Sequence, residues 1–391
     1  MTAEMDMYFL DVGQGDCTYL EVGTDGTKQQ ETYLIDFGYK ERQFNGDHPA
    51  YQTRLILVDR ITKVSKARGL KEPYLDHLFI THPDSDHWNM ISSLITGTTD
   101  FGKPTLWEAR GWPKGTTLKA GTLTYGGAKE QYSGKGVAQE IWWSIITDAA
   151  TTKTNLSNKT HDSQDQTTGA VTPRWTGLGG KLKIFLINSN YPTKAGGAPN
   201  PKSLCLIFEF DKFKLMLLGD AEPTDVGAQL EKWYAFNNYA FLQCNVLKLA
   251  HHGSRKGTPE WWPKVVKPKY AFVSGDYFWS HPYQEALANV FAANTLNDKF
   301  FKHWVSSYDD EALDYEPYQT EKAMFSSLWY VVTSADEVSA KNQKGVTKSY
   351  GKGQYIGIAW LLQRFEGDAT PKIGYSPEDV WPGIGQIPKT G

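Results

Sequence analysis

Residues Thr81-His82-Pro83-Asp84-Ser85-Asp86-His87 set two imidazoles and two carboxylates within six positions, directly after a strand-like apolar run at 77–81. A loop at a strand end can turn such side chains toward one point. Together they offer the nitrogen and oxygen donors that a divalent ion such as zinc or manganese takes. An acidic turn dissolved in water is the plainer alternative. A second cluster, Ala250-His251-His252-Gly253-Ser254, ends the run NVLKLA and could supply a remote imidazole, or simply be a turn with a buried histidine. A third element, Gly219-Asp220, closes KLMLLGD, where an Asp could equally cap a helix or shape a turn. Three strand ends that deliver carboxylates and imidazoles are the ingredients of a two-metal site, in which one carboxylate bridges both ions.

Those strand ends need a sheet framework. The segments 5–12, 17–23 and 32–38 are short, rich in aliphatic and aromatic residues and punctuated by Gly and Asp, which predicts strands and turns. Leu55, Val58, Ile61 and Val64 recur at helical spacing, so 51–70 is expected to be helical, with a shorter helix at 89–95. From Gly97 to about Gly180 the chain is dominated by Gly, Thr and Trp, with one aromatic segment at 140–146. That stretch reads as an insertion with a polar loop. Strands resume at 182–188, 203–210, 214–220, 245–252 and 270–275. Helices are expected at about 223–234 and 282–293, the second opened by Pro282. Segments 327–333 and 354–362 are expected to pair as a final hairpin within a C-terminal extension at about 300–391. Strands and helices in this order fit sheet layers covered by helices in a single domain over 1–391.

The composition limits what surrounds such a site. The 391 residues hold 41 Lys and Arg against 44 Asp and Glu, a net charge of -3, which excludes a general basic coat for nucleic acid but not a local basic cleft. No run of eighteen apolar residues is present, so no membrane contact is expected. The first residues show no basic-then-apolar leader, so a cytoplasmic location is the expectation. The separated Cys17, Cys205 and Cys244 are expected as small buried hydrophobes. Aromatic residues make up 14%, with 14 Trp, which predicts large packing surfaces or a stacking site.

LDVGQGD (Leu10–Asp16), LIDFG (Leu34–Gly38), THPDSDH (Thr81–His87), LLGD (Leu217–Asp220), HHGS (His251–Ser254) and SHP (Ser280–Pro282) occur in this order. The set resembles the metallo-β-lactamase fold, and within it the hydrolase domain of the ComEC-type competence (DNA-uptake) proteins. The resemblance implies an α/β class fold: an αββα sandwich with a metal site at one edge of its two sheets. It implies two divalent metal ions, zinc or manganese, held by His82, Asp84, Asp86, His87, Asp220 and His251, with Asp220 bridging. Asp16 and Asp36 would orient the ligands. Asp86, His281 and His252 would carry the catalysis, His281 and then His252 as proton donors to the leaving oxygen. No His stands between Asn188 and Asp220, so the first ion would have fewer protein ligands than the second. The second would be held by Asp86, His87 and His251.

Two closely spaced ions can provide hydroxide at neutral pH and clamp a phosphate, so the expected activity is that of a metal-dependent phosphodiesterase, foremost a nuclease acting on DNA. A basic segment with Lys248, Arg255, Lys256, Lys264, Lys267 and Lys269, interleaved with Trp261, Trp262 and Tyr270, would suit a polynucleotide strand. The alternatives are a hydrolase of a small phosphodiester or ester, with 97–180 as a lid, and a regulatory subunit of a defence or DNA-processing complex. In the latter, the Trp-rich 97–180 segment would contact a protein partner.

Overall fold

The computed structural model describes residues 4–10, 12, 14–24, 27–40, 49–99, 103–133, 136–156, 163–165, 167–189, 200–223, 233, 236, 238–268, 270–274, 281, 286 and 289–290. It also describes the backbone of 328–330, 338–341, 347–350, 360–365 and 372–374. The expected helices at 223–234 and 282–293 lie largely outside these residues.

The strands are β1 (Glu4–Phe9), β2 (Cys17–Gly23), β3 (Gln30–Phe37), β4 (Tyr74–Ile80), β5 (Lys119–Tyr125), β6 (Ala150–Asn155), β7 (Trp175–Gly177), β8 (Leu182–Asn188), β9 (Cys205–Phe210), β10 (Phe213–Leu217), β11 (Val246–Lys248), β12 (Tyr270–Val273), β13 (Leu328–Tyr330), β14 (Val338–Lys341), β15 (Thr347–Tyr350), β16 (Trp360–Phe365) and β17 (Lys372–Gly374). They form an eight-stranded sheet in the order β17-β16-β1-β2-β3-β4-β5-β6, a seven-stranded sheet in the order β13-β12-β11-β10-β9-β8-β7, and the separate hairpin β14-β15.

Alternation along each strand builds three layers of core. Met5, Met7 and Phe9 of β1 face Leu206, Phe208 and Phe210 of β9 and Leu215 and Leu217 of β10 between the sheets. Tyr8 turns to the outer face, where Leu57, Val58 and Ile61 of helix α1 (Pro49–Ala67) cover it. On the other outer face Ile207, Met216 and Leu247 pack against Trp233, Trp262 and Val290. Each large apolar side chain buried this way contributes roughly 1.5–3 kcal/mol. The expected αββα sandwich is therefore present, and the three cysteines are buried and free.

Two expectations change. The 97–180 stretch, expected as an insertion with a polar loop, contributes strands to the first sheet. β5 and β6 extend the first sheet in parallel, and Tyr132 and Trp143 stack at 4.1 Å within its outer core. Rings fill the volume that aliphatic residues usually fill. Among the described residues, Trp88, Trp107, Trp112, Trp143, Trp233 and Trp262 are all buried. Helix α2 (Val137–Ala149) nevertheless leaves Val137, Ile141 and Trp142 toward solvent. The second change is at the C-terminal end. β13 pairs with β12 and β16 with β1, in different sheets, so the segments near 330 and 360 do not form a hairpin together. Each completes an edge that would otherwise expose unpaired backbone.

Both sheets change from antiparallel to parallel pairing partway across. β3, β4 and β5 run parallel in one sheet, and β10, β11 and β12 in the other. Parallel strands bring their C-terminal ends to one edge, where the loops carrying functional groups gather. The ends of β3, β4, β10 and β11 carry the clusters read from the sequence.

Candidate metal centre

Backbone irregularity at each strand end aims the side chains. β3 has a bulge where Cys17 and Thr18 pair with Phe37 and Ile35, leaving Asp36 as the extra residue at φ 58°. A bulge re-aims one side chain. Here the Asp36 carboxylate accepts from the Thr81 backbone N–H and hydroxyl, each at 2.7 Å, and lies 2.8 Å from His87 Nδ1. Gly38 follows, and a Cβ there would stand 2.6 Å from the backbone of Ser85 and Asp86, so only glycine lets these two loops meet. Gly219, at φ 55°, brings Asp220 beside Thr81, against whose Oγ1 a Cβ would stand at 2.8 Å. His251 and His252 are both left-handed, at φ 48° and 53°. Strain of this kind costs roughly 1–3 kcal/mol per residue and persists where surrounding structure enforces it. It throws two successive imidazoles into one cleft.

The four imidazoles share one arrangement. His82 Nδ1 is 3.1 Å from Thr81 Oγ1, and His87 Nδ1 is 2.8 Å from Asp36. His251 Nδ1 is 2.7 Å from Glu222 Oε1, and His252 Nδ1 donates to the Ser274 carbonyl at 3.0 Å. Anchoring Nδ1 leaves Nε2 as the ligand atom. Every Nε2 points to Asp220. Oδ1 of Asp220 lies 3.2 Å from His87 and 3.7 Å from His252, while Oδ2 lies 3.7 Å from His82 and 3.8 Å from His251. Asp86 Oδ2 joins the first side at 3.3 Å from His252, and Asp84 Oδ2 the second at 3.7 Å from His82.

Nε2 of His82, His87 and His252, both oxygens of Asp86 and Oδ1 of Asp220 are buried without a hydrogen-bond partner. Leaving that many buried polar atoms unsatisfied is costly unless something else binds them. The groups His82–His87–Asp220 and Asp86–His87–His252 each converge tightly enough to hold one ion. The residues present therefore fit a divalent cation, with imidazole and carboxylate donors suited to zinc or manganese.

Electrostatics agree with the geometry. Burial opposes charge on His87 and His252, but facing carboxylates outweigh it, holding His87 well above its ordinary value and pushing His252 up to about 9. Burial likewise opposes ionisation of Asp220 and Asp86, but neighbouring imidazoles hold both below the usual carboxylate range. Metal uptake at these atoms competes with protons.

The structure brings together His82, Asp86, His87, Asp220 and His252, with His251 on the more open side and Asp84 half-exposed at the margin. It is His252, expected as a proton donor, that stands beside Asp86 and His87. His251, expected there, faces the other oxygen of Asp220. His281 lies 5.4 Å from His251 and 6.2 Å from His252, with Gln14 Nε2 3.1 Å from its Nδ1. Burial and the two neighbouring histidines push His281 down to about 3, so the ring is neutral. Asp16 sits behind the imidazoles, 3.4 Å from His252 Nδ1 and 2.5 Å from Lys248 Nζ. The sequence assigned no role to Glu222, Thr81 or Asn200. Asn200 Nδ2 lies 3.3 Å from His251 Nε2, in the stretch noted as lacking a histidine. Two positions of the expected strand-binding segment are unavailable to solvent: Lys248 pairs with Asp16, and Trp262 is core. Arg255, Lys256, Trp261, Lys264 and Lys267 are exposed, and Lys269 lies outside the described residues.

Fold and site together define an αββα sandwich with a histidine–aspartate cluster at its edge. No protein-family model matches the chain. It is 24% identical over 301 residues to ComE operon protein 3 of Bacillus subtilis, a match that covers 73% of this chain and 30% of that protein. The chain thus corresponds to less than a third of that relative's length. Among solved structures it is similar to a mutant of CmlA beta-hydroxylase, with a TM-score of 0.34, 11% identity, and coverage of 74% of this chain and 49% of that one. It is also similar to unliganded yeast PDE1, with a TM-score of 0.34, 12% identity, and coverage of 63% and 74%. Nothing about activity follows from likenesses of this extent.

Proposed function

We propose that the chain is a metal-dependent phosphodiesterase, with a nucleic acid strand as its substrate. The observation that carries this reading is the convergence of four Nδ1-anchored imidazoles on the two oxygens of Asp220. His87, His252 and Asp86 would hold one ion and His82, with His251 and Asp84, a second, with Asp220 between the two groups. Divalent ions bound there supply an acidified water and positive charge for a phosphoryl group. The chain's own residues do the rest. Asp36, Thr81, Glu222 and the Ser274 carbonyl orient the imidazoles. The neutral His281, held by Gln14, stands on the open side as a hydrogen-bond partner for a substrate oxygen. Arg255 and Lys256, exposed directly after the histidine turn, together with Trp261, support a polynucleotide lying across that side.

The test is hydrolysis of labelled single- and double-stranded DNA, RNA and bis-p-nitrophenyl phosphate, with Mn²⁺ or Zn²⁺. Turnover should require the metal and disappear in Asp220→Ala together with most bound metal. Absence of turnover on every phosphodiester with either metal, or an Asp220→Ala variant that keeps activity, would refute the reading.

A further inference from the structure

We propose that Lys40 binds a non-bridging oxygen of the substrate's phosphoryl group. The proposal rests on the phosphodiesterase reading above and names a residue that reading does not use. A phosphodiester anion entering this cleft meets the carboxylates of Asp84, Asp86 and Asp220, with Asp16 and Asp36 behind them. A cationic side chain on the solvent side adds to the attraction that brings it in.

Among the described residues, Lys40 and Lys248 each pair with a carboxylate of the cluster. Lys248, on β11, is buried with its ammonium 2.5 Å from Asp16 Oδ1, behind the imidazoles and away from an incoming ligand. Lys40 is on the open side. Its side chain is 34% exposed, and its Nζ is 3.4 Å from Oδ2 of the buried Asp86. The backbone at this point is fixed to the site from two directions. Lys40 N donates to the Gln14 carbonyl at 2.7 Å, and Gln14 also holds His281. Tyr39 N donates to Asn89 Oδ1 at 3.0 Å, and Asn89 Nδ2 donates back to the Tyr39 carbonyl at 2.8 Å, two residues beyond His87. The root of Lys40 is thereby tied to both the β1–β2 loop and the loop bearing Asp86 and His87, while its four-carbon stem lets the ammonium swing.

The Asp86 oxygens are candidate donors to a divalent ion. Once they serve one, a doubly charged neighbour repels the Lys40 ammonium. An anion bound on the solvent side would offer it a counter-charge within reach of its stem. A lysine is suited to this as a compact point charge for phosphate.

The experiment compares natural protein, Lys40→Met and Lys40→Arg, each loaded with Mn²⁺ and assayed for metal content by elemental analysis. Inorganic phosphate is titrated by calorimetry, and bis-p-nitrophenyl phosphate and the neutral p-nitrophenyl acetate are compared as substrates. Lys40→Met should keep its metal, bind phosphate at least about 10-fold more weakly and lose about 10- to 100-fold in kcat/KM on the diester. Any turnover of the neutral ester should be nearly unchanged, and Lys40→Arg should recover most of the phosphate affinity. Equal phosphate affinity in natural protein and Lys40→Met, absence of phosphate binding by the natural protein, or loss of metal from Lys40→Met would each overturn the assignment. Phosphate binding that depends on Lys40, in a protein that hydrolyses no diester, would sink the phosphodiesterase reading and leave the Lys40 assignment standing.

Discussion

Each oxygen of Asp220 faces its own pair of imidazoles, so the two sides of the centre should respond to different substitutions. His252→Ala removes the buried imidazole beside Asp86 and should cost about one ion per chain. His251→Ala acts on the other side, where the ring is partly exposed, and should leave the ion at His87 and His252 in place. Asp36→Asn keeps the size of the group but removes the charge that orients His87, and should weaken metal binding by roughly 10- to 100-fold. Metal content after dialysis, with affinities from competition against a chromogenic chelator, measures all three. Equal loss from His251→Ala and His252→Ala would show that the sides are not separate. The types and spacing of Asp84, Asp86, His82 and His87 made the first cluster legible, because one short loop carries them all. Which of His251 and His252 meets Asp86 was not legible, since adjacent residues differ only in the direction a left-handed backbone sends them. Glu222 gave no signal, as a single polar residue in a loop has no pattern.

At the scale of elements, β2 and β8 fall where the apolar runs place them, and α1 where the helical period places it. β5 (KAGTLTY) and β6 (ATTKTN) escaped because they carry few large aliphatic residues of their own. β4 carries a further consequence. His77 on this strand is buried, stacked on Phe79 at 3.8 Å, with Nε2 2.8 Å from Thr124 Oγ1. Burial pushes it down to about 3, against about 6.5 in an open chain. Between those values the unfolded chain holds a proton that the folded chain does not. Stability is therefore lost as pH falls from 6.5 toward 3, by at most about 1.4 kcal/mol per pH unit from this group. His77→Gln retains a polar partner for Thr124 and cannot titrate. Its deficit in urea-unfolding stability against the natural protein should shrink as pH drops from 7 to 4, whereas parallel curves would mean that His77 titrates normally.

Across the whole molecule, the candidate ligands come from both sheets: Asp86, His82 and His87 follow β4 of one, Asp220 and His252 follow β10 and β11 of the other. An ion held by both groups would tie the layers together at one edge. At a free ion concentration about 100-fold above its dissociation constant, such binding adds about 2.7 kcal/mol to stability, or on the order of 5 °C in melting temperature. Calorimetric melting with and without a chelator should show that loss, and its reversal on adding Mn²⁺ or Zn²⁺. An unchanged melting temperature in protein shown to bind metal would mean that the ligands of one sheet suffice. The order of apolar runs, the strand-end motifs and the charge balance are local properties, so the sequence by itself determined the layered α/β class and the residue types of the site. The pairing of β13 and β16 with separate sheet edges depends on which edges remain open once the layers have assembled. The bulge at Asp36, the facing of Asp220 by four imidazoles and the placing of Lys40 over Asp86 depend on contacts between residues dozens to hundreds of positions apart. Only the tertiary structure decided them, because a side chain's direction is set by the backbone that packs around it.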